Sequence, residues 1–264
     1  MDIPLDVLKI ISSYITKHKM KLLDWIPLEK LYNGGLSSNP SAIYLLEANP
    51  DKISWDYLSQ NPNAIHMLEK NINKINWSML SGNPKAIHML EKNINKINWS
   101  MLSGNPKAIH LLQANYYKIY LPRLLKNPNA IHLLETNKDR IDWYHSLGNL
   151  NAMHLLEENL DEINWQKLSE NPNAIYLLEA NPDKINWNSL SGNPNAIHLL
   201  EKNIDKISWN HLSTNPNAIH LLEANKDKIN WEYLSFNPNI FELDTKLINE
   251  NILNKAILLD GIIN

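Results

Sequence analysis

Apolar and polar positions along this chain follow an order that returns every 22 residues. In the stretch 61–82, NPNAIHMLEKNINKINWSMLSG, Ala64, Ile65 and Leu68 fall on one helical face with Met67 beside them. Trp77 and Leu80 form a second apolar pair, three residues apart. The next 22 residues differ from this stretch only in having Lys85 where it has Asn63. An asparagine opens every unit without a slip, from Asn39 and Asn61 through to Asn237. That gives nine full repeats over 39–236 and the start of a tenth. A fixed period of this length signals a repeat architecture.

Each repeat predicts two short helices. Asn61-Pro62 is a helix start, because asparagine caps orphan N–H groups and proline at the first helical position loses nothing. The eleventh position is asparagine in all nine repeats, as in Asn49 and Asn71. Asparagine tolerates the left-handed conformation that ends a helix, and Pro50 and Pro182 follow it directly. The sixteenth position is a capping type in eight of the nine repeats, so a second helix begins at the tryptophan that follows. Helices below ~12 residues are marginal alone in water, so burial between neighbours must stabilise them. The expected fold is all-α, an α-solenoid of nine two-helix repeats. LSGNPN also resembles the strand-and-asparagine corner of leucine-rich repeats. The residue two after the second-helix leucine is Gln60, Gly82, Gly104, Glu170, Gly192 or Thr214, so the alternation of such a strand is missing. Helical caps are expected at both ends, over 1–38 and 237–264. In the first, Trp25 and Leu28 keep the Trp-x-x-Leu spacing ahead of a turn-rich insertion, EKLYNGGLSS. The second reads as a lid over the last exposed face.

Composition narrows the function. The chain of 264 residues is 44% apolar, enough for a core, and its net charge of −3 argues against a globally basic nucleic-acid binder. Without cysteine there is no disulfide framework, thiolate metal site or cysteine nucleophile. No run approaches 18 apolar residues and the N-terminus lacks the pattern of a secretory signal, so an intracellular protein with no membrane segment is expected. Nucleotide-binding, zinc-protease and serine-hydrolase motifs are absent, and carboxylates recur at every repeat rather than in one unique cluster. No enzyme activity, cofactor or metal is expected.

Three rows of side chains could carry chemistry. Tryptophan opens the second helix in eight repeats; its apolar neighbours, such as Ile75 and Leu80 around Trp77, favour a core ladder over a stacking platform. Histidine recurs at the sixth position, as in His66, His88 and His110. Helices packed ~8–10 Å apart cannot place adjacent rungs ~2 Å from one zinc, so packing between repeats or an aromatic strip is the better reading. Glutamate at the ninth position and lysine at the fourteenth suggest a Glu–Lys ladder, or else a row of cations for phosphates.

The consensus NPNAIHLLExNxDKINWxxLSG over 39–236 resembles a repeat found in many copies in proteins of giant double-stranded DNA viruses of amoebae (mimivirus-like). That resemblance implies a viral repeat protein working in the host cell, in the cytoplasm or nucleus. IPLDVLKIISSYI at 3–15 resembles the first helix of an F-box. It implies contacts through Ile3, Pro4, Leu5, Val7, Leu8 and Ile11 to the F-box-binding linker subunit of a host cullin-type ubiquitin ligase. Irregularity marks another candidate. Repeats four to six break the pattern and hold the chain's only arginines, Arg123 and Arg140, together with Tyr116, Tyr117, Tyr120, Tyr144 and His145. Tyrosine and arginine are the types that anchor interfaces. The expected function is a protein–protein interaction scaffold. Substrate adaptor and modular nucleic-acid array are the alternatives, and nucleic acid is the less favoured partner.

Overall fold

The computed structural model describes residues 20–136 and 164–247. Its architecture is helical and repetitive, as the 22-residue period requires. In the repeat that opens at Asn61, an α-helix over Ile65–Lys70 is followed by a 3-10 turn over Ile72–Lys74 and a second α-helix over Trp77–Ser81. Local polar bonds set these boundaries. Asn76 caps the second helix as expected, its Oδ1 accepting from the N–H of Met79 at 3.1 Å. Asn61-Pro62 instead forms a turn, Asn61 Oδ1 accepting from the N–H of Asn63 at 2.9 Å, and the first helix begins only at Ile65, behind Ala64.

The helix-ending asparagine behaves differently from expectation. Asn71 has φ −133°, outside the left-handed region. Its side-chain amide instead donates to the carbonyl of Met67 at 2.9 Å, satisfying an acceptor that the helix end leaves open. Asn49, Asn93, Asn115, Asn181, Asn203 and Asn225 make the same bond to the carbonyl four residues back. With that carbonyl satisfied by a side chain, the backbone has no need of a positive φ.

Stacking completes what the short helices lack. Ala64, Leu68 and Leu80 are fully buried, as are their counterparts in neighbouring repeats. Each leucine removed from water contributes roughly 1.5–3 kcal/mol. The tryptophans are half-buried and pack on the edge of this core. A polar ladder runs beside it. Asn83 Nδ2 donates to the carbonyls of Ser59 at 3.1 Å and Asn61 at 3.0 Å, while its Oδ1 accepts from the N–H of Lys85. The buried Ser59 hydroxyl donates to the Trp55 carbonyl and accepts from the N–H of Asn76.

The same bonds reappear between the two ends of the described chain. Asn39 Nδ2 donates to the carbonyls of Ser235 at 3.3 Å and Asn237 at 2.9 Å, and the Tyr32 N–H donates to Ser235 Oγ at 2.8 Å. Strand β1 (Met20–Leu22) pairs antiparallel with β2 (Phe241–Leu243), placing Lys21 opposite Glu242. Among the described residues, 28–38 supply the second half of a repeat and 237–243 the first half of another. Those halves join into one composite repeat, so the first repeat stacks on the last and the solenoid bends into a ring. The rung opening at Asn149 lies outside the described residues.

This seam corrects the reading of EKLYNGGLSS as a turn-rich insertion. Asn33–Ser38 is an α-helix with Leu36 fully buried, in register with the second helices of the other repeats. Its glycines answer to crowding: a Cβ on Gly35 would stand 2.5 Å from Ser235 Cβ. Of the expected helical caps, 20–38 and 237–247 are described; there the closing repeat, with its small sheet, covers the last face. Among the described residues no helix is long and apolar enough to cross a membrane.

Candidate interaction surface

Two ladders decorate the ring, and they pair differently from the expected Glu–Lys row. The histidine at the sixth position reaches back to the glutamate of the preceding repeat: His66 Nε2 lies 2.7 Å from Glu47 Oε1, His88 2.9 Å from Glu69, and His110 2.9 Å from Glu91. His198–Glu179 and His220–Glu201 repeat the contact. Where Gln113 replaces the glutamate, His132 turns to Glu135 in its own repeat, at 4.0 Å. The lysine at the fourteenth position lies over the tryptophan of the preceding repeat instead. Lys74 Nζ is 4.5 Å from the Trp55 ring centroid, Lys96 4.4 Å from Trp77 and Lys118 4.4 Å from Trp99. Lys30 over Trp231 at 4.8 Å carries this ladder across the seam. Histidine thus takes the carboxylate of the preceding rung, and the lysine ammonium rests on the electron-rich indole face.

Two seam residues have shifted titrations. Hydrogen bonds to Asp24 and Glu242 hold the Lys21 ammonium well above its ordinary range. A hydrogen bond with the Tyr57 hydroxyl, followed by desolvation, raises the Tyr32 phenol. Tyr32, Tyr57 and Phe236 form an aromatic cluster there, with ring centroids 5.8–6.4 Å apart.

The structure divides the irregular patch of repeats four to six. Tyr116 and Tyr117 lie on the 3-10 turn Tyr116–Lys118, each 71% exposed and packed edge to face at 6.0 Å. Tyr120 is exposed, with its N–H held by Ser103 Oγ. Arg123 lies apart from that tyrosine pair, in the lining of a cavity of about 390 Å³. Ser38, Gln60, Gly82, Gly104 and Lys126, all at the last position of their repeats, line that cavity too, so five successive rungs converge on its inner wall. Arg140, Tyr144 and His145 lie outside the described residues, as do Ile3, Pro4, Leu5, Val7, Leu8 and Ile11.

A surface feature that the row-by-row reading missed becomes visible once neighbours are placed. Ile72, Ile94 and Tyr116 occupy the same position of three successive 3-10 turns, and all three are more than half exposed. The signal in the sequence is a charge count by segment. Between Asn61 and Lys126 stand nine lysines and arginines against two glutamates, a net of +7, so a chain of −3 overall carries −10 elsewhere.

Fold and surface together define a helical-repeat protein whose first and last described repeats pack together, with paired ladders running along it. A family model described as "Periplasmic copper-binding protein (NosD)" matches residues 95–256, more than half of the chain, and on that match the chain belongs to this family. No curated protein and no solved structure matches it. The residues present do not fit a copper centre. The chain has no cysteine, and among the described residues no group of three histidine, cysteine or acidic side chains could hold a metal. The five regular histidines of the row each face a single glutamate, one ligand pair per rung, where a closed site needs ligands converging on one point.

Proposed function

We propose that the protein is a non-enzymatic scaffold for protein–protein interaction. The observation that carries this reading is the exposure of Tyr116 and Tyr117 on a turn fixed between stacked repeats. Large aromatic side chains held on a rigid backbone lose little entropy on binding, and they anchor interfaces. The giant-virus wording of the repeat supports a viral protein acting inside a host cell. The test is affinity purification of the tagged protein from infected cells, beside a variant with Tyr116→Ala and Tyr117→Ala. A specific partner captured by the intact protein and lost from the variant is the expected result. No specific partner in either sample would overturn the scaffold reading, and equal capture would move the surface elsewhere. The adaptor alternative depends on the segment around Ile3–Ile11, and a pull-down of the intact protein with the ligase linker subunit decides it.

A further inference from the structure

The ridge of Ile72, Ile94 and Tyr116 runs across three adjoining repeats with cations along both sides. Lys70 and Lys92 stand two residues before the ridge positions, exposed and without an ion pair to any described residue. Lys74 and Lys96 stand two residues after, their ammonium groups held over Trp55 and Trp77. In the oppositely charged part of the ring the residue following the ridge position is Asp51, Asp183, Asp205 or Asp227; along this arc it is Asn73, Asn95 or Tyr117. The arc thus combines an apolar line with flanking positive charge and no acid on the turn itself.

We propose that this arc binds an acidic amphipathic polypeptide segment, with apolar residues on one face laid along the ridge and carboxylates on either side meeting the lysines. The inference rests on the scaffold reading and assigns the chemistry of its partner. Charge complementarity sets orientation and encounter rate, and burial of the two isoleucines and the tyrosine supplies the anchor. A nucleic-acid strand would satisfy the lysines equally well. Isoleucine, however, offers no π face for a base to stack on, and two of the three rungs carry isoleucine. The tethered lysines are also preorganised, so fixing them on binding costs less side-chain entropy than fixing free ones.

The test is fluorescence anisotropy of the full-length protein with three labelled probes: a leucine- and glutamate-patterned helical peptide, its scramble of identical composition, and oligothymidylate. The patterned peptide should bind about tenfold tighter than the scramble. Ile94→Glu should weaken it about tenfold, Lys92→Glu should weaken it and flatten its salt dependence, and Ile204→Glu, the same substitution outside the arc, should leave it unchanged. Ile94 and Ile204 are both about half exposed, and matching thermal melts confirm that the variants fold. Equal binding of patterned and scrambled peptides, tighter binding of oligothymidylate, or no binding of the patterned peptide would overturn the proposal. If infected-cell partners are captured equally by the intact protein and Ile94→Glu, the scaffold reading survives and this inference falls.

Discussion

At the scale of single residues, the opening asparagine ties one repeat to the next as well as turning its own chain. Its amide must donate and accept at once: Asn83 gives two N–H bonds to carbonyls of earlier residues and takes one from the N–H of Lys85 in its own turn, all in a buried site. Serine, threonine and aspartate also cap helices, but they cannot donate both bonds, which explains why this position never varies among them. Asn83→Ala should therefore leave the buried Ser59 carbonyl unpaired, take one of two bonds from that of Asn61, and lower stability by about 1–3 kcal/mol in urea denaturation followed by tryptophan fluorescence. Lys96→Gln removes only an exposed cation from the Trp77 face. The same measurement should show a loss of about 0.5–1 kcal/mol. The sequence marks the asparagine as a local breaker because its partner Lys85 is two residues away, although the bond closes a turn and the helix begins later, at Ile87. The ladder stayed hidden because its acceptors lie 22 and 24 residues back.

At the scale of elements, the helices are five or six residues long in most repeats, too short to persist without neighbours. Their boundaries were legible because caps and apolar spacing act locally. The helix Asn33–Ser38 was not, since Asn-Gly-Gly is ordinarily turn chemistry and nothing nearby shows that Ser235 presses against it. This element gives a prediction with a distinctive sign. Alanine is worth ~1 kcal/mol more than glycine inside an exposed helix. At Gly35 the added Cβ meets Ser235 at 2.5 Å, so Gly35→Ala should instead destabilise, by about 1–3 kcal/mol in thermal or urea unfolding.

At the scale of the whole molecule, closure replaces two exposed solenoid ends with one more interface. Lys21 and Glu242 face each other across β1 and β2 in a chain without cysteine, so Lys21→Cys with Glu242→Cys should form an intrachain disulfide on oxidation. Non-reducing electrophoresis should show a faster-migrating monomer; only dimers, or no shift, would contradict the ring. Closure should also depend on alkaline pH. Lys21 and Tyr32 have folded values raised above their ordinary 10.5 and 10.0, so each binds its proton more tightly in the folded protein. Their contribution is fully present below the unfolded values and is lost as pH rises through the folded ones. Thermal stability should fall once pH passes about 10, and Lys21→Met with Tyr32→Phe should make that fall shallower.

The sequence by itself determined the repeat, its length, the start of the second helix at Asn76, and the burial of Ala64, Leu68 and Leu80, because these follow from spacings of a few residues. Tertiary structure decided which rows meet. Histidine took the glutamate and lysine took the tryptophan, since the choice depends on how one rung is offset over the next. It also decided that the array closes. Ring closure is set by a small rotation accumulated over every rung, a quantity that no single repeat encodes in its pattern of apolar and polar positions.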